Sequence, residues 1–206
     1  MSETDFYRDE AKQRTAAAVG RVESLTSAEV VVAVRRRSGD YRAAAYHTGL
    51  GAMGLVVAYL LVAPETYSVG AIALDACFGF FLAVVLVRNV DALARLLVPR
   101  GRRQTNVDRA ARAAFYDLGI SRTTGRNGIL VFVSTFERAV AVVPDIGVDV
   151  AVLGAAYQAQ LAELEKAVRR PSVSAFLSAL EGLGPILGAV MPRAEDDVNE
   201  LPDEVQ

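Results

Sequence analysis

Apolar and polar positions divide this chain into two long uncharged stretches with polar segments on either side. From residue 45 to 63 the only acidic or basic side chain is His47, and from 67 to 87 it is Asp75. Helices of about 20 residues, rising about 1.5 Å per residue, would cover a hydrocarbon core of about 30 Å. Pro64–Thr66 leaves room only for a tight loop between them. The pattern therefore predicts a transmembrane helical hairpin over 45–63 and 67–87. The alternative is two helices buried in a soluble core, which rarely contains adjacent spans this long without charge.

Small residues recur inside the first stretch. Gly49, Gly51 and Gly54 have the G-x-G-x-x-G spacing of a dinucleotide-binding turn. That turn needs a strand before its first glycine and an amphipathic helix after its last, whereas an uninterrupted apolar run follows here. We therefore interpret the glycines as packing positions, because small side chains let membrane helices approach closely. The contact forms within the hairpin or between two copies in a homo-oligomer.

Asp75 lies within the second predicted span. An ionised carboxylate there costs several kcal/mol, and the default interpretation of such a residue is a proton or ion site. No second intramembrane charge is expected at the same depth, and two spans alone make a poor conduction path. We therefore favour a structural or oligomer-packing carboxyl over a role in transport.

Arginines flank the hairpin on both sides, and its loop has no basic residue. Because arginine is retained on the cytoplasmic side during insertion, both flanks and both termini are expected in the cytoplasm of a bacterium, with the hairpin in its inner membrane. Arg100, Arg102 and Arg103 are candidates for contact with anionic headgroups of the lipid bilayer.

The remaining pattern predicts an α/β domain that the hairpin interrupts. Its two parts are 1–38 and 104–190, and the first strand is expected to pair with the later ones. An acidic tail over 194–206 is expected to be disordered. The predicted elements are a helix over Glu3–Leu25, a strand over Val30–Val34, a helix from an Asn106 cap to Gly119, strands over Ile129–Ser134 and Ala139–Val143 joined as a β-hairpin, and helices over Val150–Val168 and Ser172–Leu187 with Pro171 in the first turn of the last.

Composition excludes several classes of function. The formal net charge of the 206 residues is −2, and basic residues do not alternate with aromatic ones, so nucleic-acid binding is not expected. Cys77 is the only cysteine, which excludes an intrachain disulfide and a cysteine-based metal cluster. The polar N-terminal segment does not have the pattern of a secretory signal peptide.

The segment from Ala114 to Val148, together with the "TSAEVVVAV" block that begins at Thr26, resembles the TPM domain family. The resemblance is strongest to bacterial members that have two membrane spans between these blocks, and it extends from about Val19 to about Leu187. It implies an α/β sandwich around a small sheet. In the family, some members bind divalent metal through loop carboxylates, acid phosphatase activity is ascribed to some plant members, and others serve in photosystem repair or respiratory-complex assembly.

Asp145 and Asp149, in the loop after the last strand, are the candidate metal ligands, with Asp117 or Asn127 nearby. Oxygen clusters of this kind suit Ca²⁺ or Mg²⁺, although Asp beside Gly in a loop is also ordinary turn chemistry. No D-x-D motif or cysteine phosphate loop is present.

Two hypotheses follow: a membrane-anchored, non-catalytic module that holds an unknown membrane-protein partner, and a metal-dependent phosphatase-like hydrolase. The missing catalytic set favours the first.

Overall fold

The computed structural model describes residues 6–194 and 199–201. The chain forms two compact units. One is discontinuous and comprises Met1–Ser38 with Gln104–Gln206, and the other is the inserted unit Gly39–Arg103.

The discontinuous unit is built on a three-stranded mixed sheet. Strand β1 (Glu29–Arg35) pairs in parallel with β2 (Gly128–Ser134), and β2 pairs antiparallel with β3 (Ala139–Pro144). The predicted α/β class, and the pairing of the first strand with the later β-hairpin, are therefore confirmed.

Both faces of this sheet are buried, which explains why β1 and β2 are continuous apolar runs rather than alternating ones. On the first face, Val30, Val32 and Val131 pack against helices that precede and follow the sheet in sequence. On the second face, Val31 and Phe132 pack against a single long helix and a short 3-10 helix. The first-face helices are α1 (Asp9–Glu23), α6 (Val150–Arg169), α7 (Val173–Glu181) and α8 (Leu183–Val190), and the second-face elements are α5 (Arg100–Asp117) and the 3-10 helix Ile120–Arg122.

Two predicted helix starts are wrong. Asn106 does not cap a helix, because α5 begins at Arg100. Its first turn is closed by a hydrogen bond of 3.2 Å from the Arg103 amide to the Pro99 carbonyl. The polar residues after Pro99 are therefore the first turns of α5 rather than a linker that precedes it. The α1 helix begins at Asp9 rather than at Glu3, and residues 1–5 lie outside the described residues.

The predicted last helix is two helices. Pro185 has no amide hydrogen to donate to the Glu181 carbonyl, and α7 ends at Glu181 with α8 starting at Leu183. The prediction that Pro171 lies in the first turn of the last helix is wrong, because Pro171 precedes the N-cap residue of α7. Ser172 is that cap, and its hydroxyl accepts a hydrogen bond from the Ala175 amide at 3.3 Å.

The inserted unit contains the two apolar helices of the predicted hairpin, α2 (Arg42–Val62) and α3 (Val69–Asn89), followed by the short helix α4 (Asp91–Leu97). Each long helix has 21 residues and therefore spans about 31 Å. A Cβ atom on Gly49 would lie 2.7 Å from Val84, and one on Gly79 would lie 2.9 Å from Val56. These two glycines set the distance between the helices.

The apolar side chains of the hairpin are largely exposed. Leu55 on α2 is 74% exposed and Val69 on α3 is 84% exposed. Only 17% and 11% of the most apolar windows of α2 and α3 are buried, although both helices are long and apolar enough to cross a membrane. The stretch Val173–Val190 also meets that length and composition, but 44% of its window is buried and Phe176 and Leu180 lie in the core of the sheet.

We expect Gly49→Val to open the hairpin, because the new side chain would overlap Phe80 and Val84. Overpacking of this kind costs about 1–3 kcal/mol. The matched control is Gly51→Val, since nothing lies within 4 Å of a Cβ at that position. Thermal unfolding of the protein in detergent micelles, followed by circular dichroism, should show a lower transition for Gly49→Val alone. Equal transitions for the two variants would contradict this packing.

Gly154 interrupts α6 with φ 61° and ψ −150°. A side chain there meets no neighbouring atom, so a substitution tests backbone conformation alone. We expect Gly154→Ala to lower the free energy of unfolding by about 1–3 kcal/mol. Gly101→Ala, at a helical and open position in α5, should leave it unchanged or raise it by about 0.5–1 kcal/mol. Urea unfolding of both variants checks the opposite signs, and stabilisation by Gly154→Ala would contradict the kink.

Candidate functional site

The turn before β2 and the loop after β3 meet at one end of the sheet, which we call the loop end (Thr123–Asn127 and Asp145–Asp149). The Asp145 amide donates to the Gly128 carbonyl at 2.8 Å, and the Gly147 amide donates to the Arg126 carbonyl at 2.9 Å. A Cβ atom on Gly147 would lie 2.5 Å from the Gly125 carbonyl oxygen. Only glycine therefore allows the two segments to approach this closely.

Asp145 forms a two-point ion pair with Arg126. The Arg126 Nε donates to Oδ2 at 2.8 Å, and Nη2 donates to Oδ1 at 2.9 Å. The carboxylate is 3% exposed and the arginine side chain 45% exposed. Burial by itself would raise the pKa of Asp145, but the hydrogen bonds from Arg126 and from the Ile146 amide outweigh it and lower that pKa below its ordinary value. Both carboxylate oxygens thus have protein partners, and a divalent cation would have to displace a guanidinium.

Asp149 is the N-cap of α6. Its Oδ1 accepts from the amides of Ala151 at 3.0 Å and Val152 at 3.3 Å, as is usual for aspartate at this position. Two residues were predicted to lie near these candidate metal ligands. Asp117 is exposed at the end of α5, and the Asn127 side chain donates to the Ser27 carbonyl. Within 6–194 and 199–201, no group of three or more His, Cys, Asp or Glu residues could hold a metal ion. The metal site at Asp145 and Asp149 stays a prediction.

The chain also reaches the loop end through its C-terminal segment. Most of the predicted acidic tail lies outside the described residues, but Asn199–Leu201 is described. The Glu200 carboxylate accepts from the Thr124 amide at 2.9 Å and from the Thr124 hydroxyl at 3.0 Å. Leu201 packs against the second-face core cluster, and its amide donates to Glu29 Oε2 at 3.4 Å. These contacts were not predicted from the sequence, where the signal for them was a leucine within a segment rich in acidic residues.

A second polar network lies at the opposite end of β1 and β2. The Ser38 amide donates to Glu137 Oε1 at 2.9 Å, and the Ser38 hydroxyl donates to the Ser134 hydroxyl oxygen at 2.8 Å. The Ser134 hydroxyl donates in turn to Glu137 Oε2. The Arg37 guanidinium lies 4.1 Å from the centre of the Phe136 ring. The network fixes the chain after β1 to the turn between β2 and β3.

The remaining predicted residues lie in the inserted unit. Asp75 is exposed on α3, and its role as a structural or oligomer-packing carboxyl stays a prediction. Arg100 and Arg102 are exposed, and Arg103 is half-buried. These positions are open to contact with headgroups but do not by themselves identify a ligand.

Comparison with known proteins gives a likeness of fold. No protein-family model matches this sequence, and no curated protein matches it. The chain is similar to the NMR structure of BA42 protein from the psychrophilic bacterium Bizionia argentinensis, with a TM-score of 0.56 and 14% sequence identity over 97% of this chain and 93% of that one. BA42 is a TPM-like domain protein, so the chain has a BA42-like TPM fold. At this identity the likeness concerns the fold alone.

We expect Asp145→Asn to lower the free energy of unfolding by about 1–2 kcal/mol at neutral pH, because it removes a charged hydrogen-bonded pair. The pKa of Asp145 is depressed in the folded state. Its contribution is therefore complete above the unfolded-state pKa of about 3.9 and is lost as the pH falls through the lower folded-state value. The difference between wild type and variant should shrink accordingly in acid.

The matched control for this prediction is Asp149→Asn, because asparagine also caps helices well and should cost only a few tenths of a kcal/mol. Urea unfolding from about pH 7 down to about pH 2 measures both variants. A loss for Asp145→Asn that does not depend on pH would contradict the role given to the ion pair.

Proposed function

We propose that this protein is an integral protein of the bacterial inner membrane, and that its α/β unit is a non-catalytic interaction or assembly module at the cytoplasmic face. The hairpin α2–α3 would cross the bilayer, with both chain termini in the cytoplasm. The partner would be another membrane protein.

The exposed apolar surface of the hairpin carries this proposal. Two helices of 21 residues leave side chains such as Leu61 and Val62 more than two-thirds exposed, at 72% and 85%. A soluble monomer rarely exposes an apolar patch larger than a few hundred Å², and a larger one marks a surface that contacts a membrane or another protein. Every backbone group inside a helix is also satisfied internally, as lipid requires.

Charges around the hairpin support the orientation. The segment between α2 and α3 has Glu65 as its charged residue, and basic residues lie beyond both helix ends. In α4, Leu96 is 81% exposed and is adjacent to Arg95, which suits a position at the boundary of hydrocarbon and headgroups. Arg100, Arg102 and Arg103 would contact anionic headgroups there, at about 1 kcal/mol each.

The α/β unit offers a surface for a partner rather than a reaction centre. Asp145 and Asp149 are engaged by Arg126 and by the start of α6. At the β1 edge, the Val30 amide donates to Glu23 Oε1 at 2.9 Å. Strand β3 pairs only with β2 among the described residues, and its residues from Ala141 to Pro144 are half-buried. An extended segment of a partner could therefore add to the sheet at β3.

Cysteine accessibility in intact cells tests the orientation. Because Cys77 is the only cysteine, Cys77→Ala provides a background free of thiols. On that background, Glu65→Cys in the loop should react with a membrane-impermeant maleimide added outside spheroplasts. Glu10→Cys, at an exposed position of α1, should react only after the membrane is permeabilised. Labelling of Glu10→Cys but not of Glu65→Cys in intact cells would reverse the topology and reject the cytoplasmic location.

A further inference from the structure

The segment Asn199–Leu201 contacts the α/β unit as a short peptide ligand would. Its glutamate accepts two hydrogen bonds from Thr124, one from the amide and one from the hydroxyl. Its leucine packs against the cluster that lines the second face of the sheet. The Leu201 amide donates to Asn199 Oδ1 within the segment at 3.1 Å and also to Glu29 Oε2 at 3.4 Å. Adjacent carboxylate, amide and isobutyl groups are thus each matched by a different part of the unit.

The second face of the sheet has room for such a contact. The first face is covered by four helices, whereas the second is covered by α5 and the short 3-10 helix. Ala141 and Val143 of β3 remain only partly buried on that second face. Leu201 packs against this same cluster, so it adds apolar contact where the unit's own helices leave the face incompletely covered.

Charge favours the same pairing. Arg122 and Arg126 flank the turn that contains Thr124. Arg122 is exposed, whereas the guanidinium of Arg126 is paired with Asp145 and its side chain is 45% exposed. The chain after Arg193 contains no lysine or arginine, and its acidic residues are Glu195, Asp196, Asp197, Glu200, Asp203 and Glu204. An acidic peptide would therefore be attracted to this turn, and two charge-assisted hydrogen bonds to one carboxylate fix its position.

We propose that the turn Thr123–Arg126 and the adjoining second face of the sheet form a binding site for a short acidic peptide in which leucine directly follows glutamate. The chain's own segment Asn199–Leu201 occupies this acidic-peptide site and competes with a peptide from a partner. The inference deepens the proposed interaction module, on which it rests, by naming a surface and the chemistry of what binds there.

Binding of a labelled peptide tests the proposal. The probe is a fluorescein-labelled peptide with the sequence of residues 194–206, titrated by fluorescence anisotropy into the full chain in lipid nanodiscs. The double variant Glu200→Ala/Leu201→Ala should bind it about 10-fold more tightly than wild type, because a tethered segment at a local concentration near the millimolar range no longer competes. A control peptide with alanine in place of its glutamate at 200 and leucine at 201 should bind neither protein.

The hydroxyl of Thr124 provides a test on the site itself. In the double variant, an added Thr124→Val change keeps the side-chain shape and removes one donor to the carboxylate, so peptide affinity should fall several-fold. Equal affinity of wild type and the double variant for the probe, or saturable binding to neither, would overturn the proposal.

Hydrogen exchange gives a readout that does not need added peptide. The Thr124 amide should exchange more slowly in wild type than in Glu200→Ala/Leu201→Ala, because Glu200 accepts its hydrogen bond. Equal rates would show that the segment does not occupy the site and would overturn the proposal. Either failure would leave the cysteine-labelling result unchanged, so it would reject the peptide site without rejecting the membrane module.

Discussion

The parallel pairing of β1 with β2 is the interaction on which the α/β unit depends. Val31 lies opposite Leu130 in the register, and about 90 residues of chain separate the two strands. The entropy of closing so long a loop grows only slowly with its length, but the inserted chain must return to where it left. An antiparallel pair of helices meets this condition, because its ends lie on the same side, about 10 Å apart. The tight contacts at Gly49 and Gly79 keep that pair closed.

Most acidic side chains that look chemically interesting in the sequence stabilise the fold instead. Glu23 binds the Val30 amide at the edge of the sheet, and Glu137 binds the Ser38 amide where the chain leaves β1. Asp149 caps α6, and Asp145 is paired with Arg126. Each carboxylate satisfies donors that would otherwise be buried or left at a helix end, where an unmade hydrogen bond costs about 1–3 kcal/mol. These four carboxylates therefore act within the fold itself.

The apolar pattern of the sequence was sufficient for the sheet, the hairpin and most of the helices. Valine-rich runs such as Val30–Val34 define strands because both faces of the sheet are buried, and the uncharged stretches define α2 and α3 by length. Local backbone effects were harder to predict. The break before α8 has a visible cause in Pro185, but the kink at Gly154 has none in the pattern, and α4 was not predicted.

Contacts between distant parts of the chain could not be predicted in the same way. Asp145 and Arg126 are 19 positions apart, and Glu200 and Thr124 are 76 apart. These contacts form only after the pairing of the strands has brought the segments of the loop end together, and no local sequence pattern specifies that arrangement. The candidate carboxylates were therefore identified by position, while their partners emerged only from the folded chain.

The central claim is that α2 and α3 lie in lipid, and the native Cys77 allows a direct measurement. It is exposed on α3, about 12 Å along the helix from Val69. A nitroxide attached to Cys77 in reconstituted liposomes should collide frequently with oxygen and rarely with a water-soluble nickel chelate, as expected for a site inside the hydrocarbon. Frequent collision with the nickel chelate and infrequent collision with oxygen would place Cys77 in water and contradict the account.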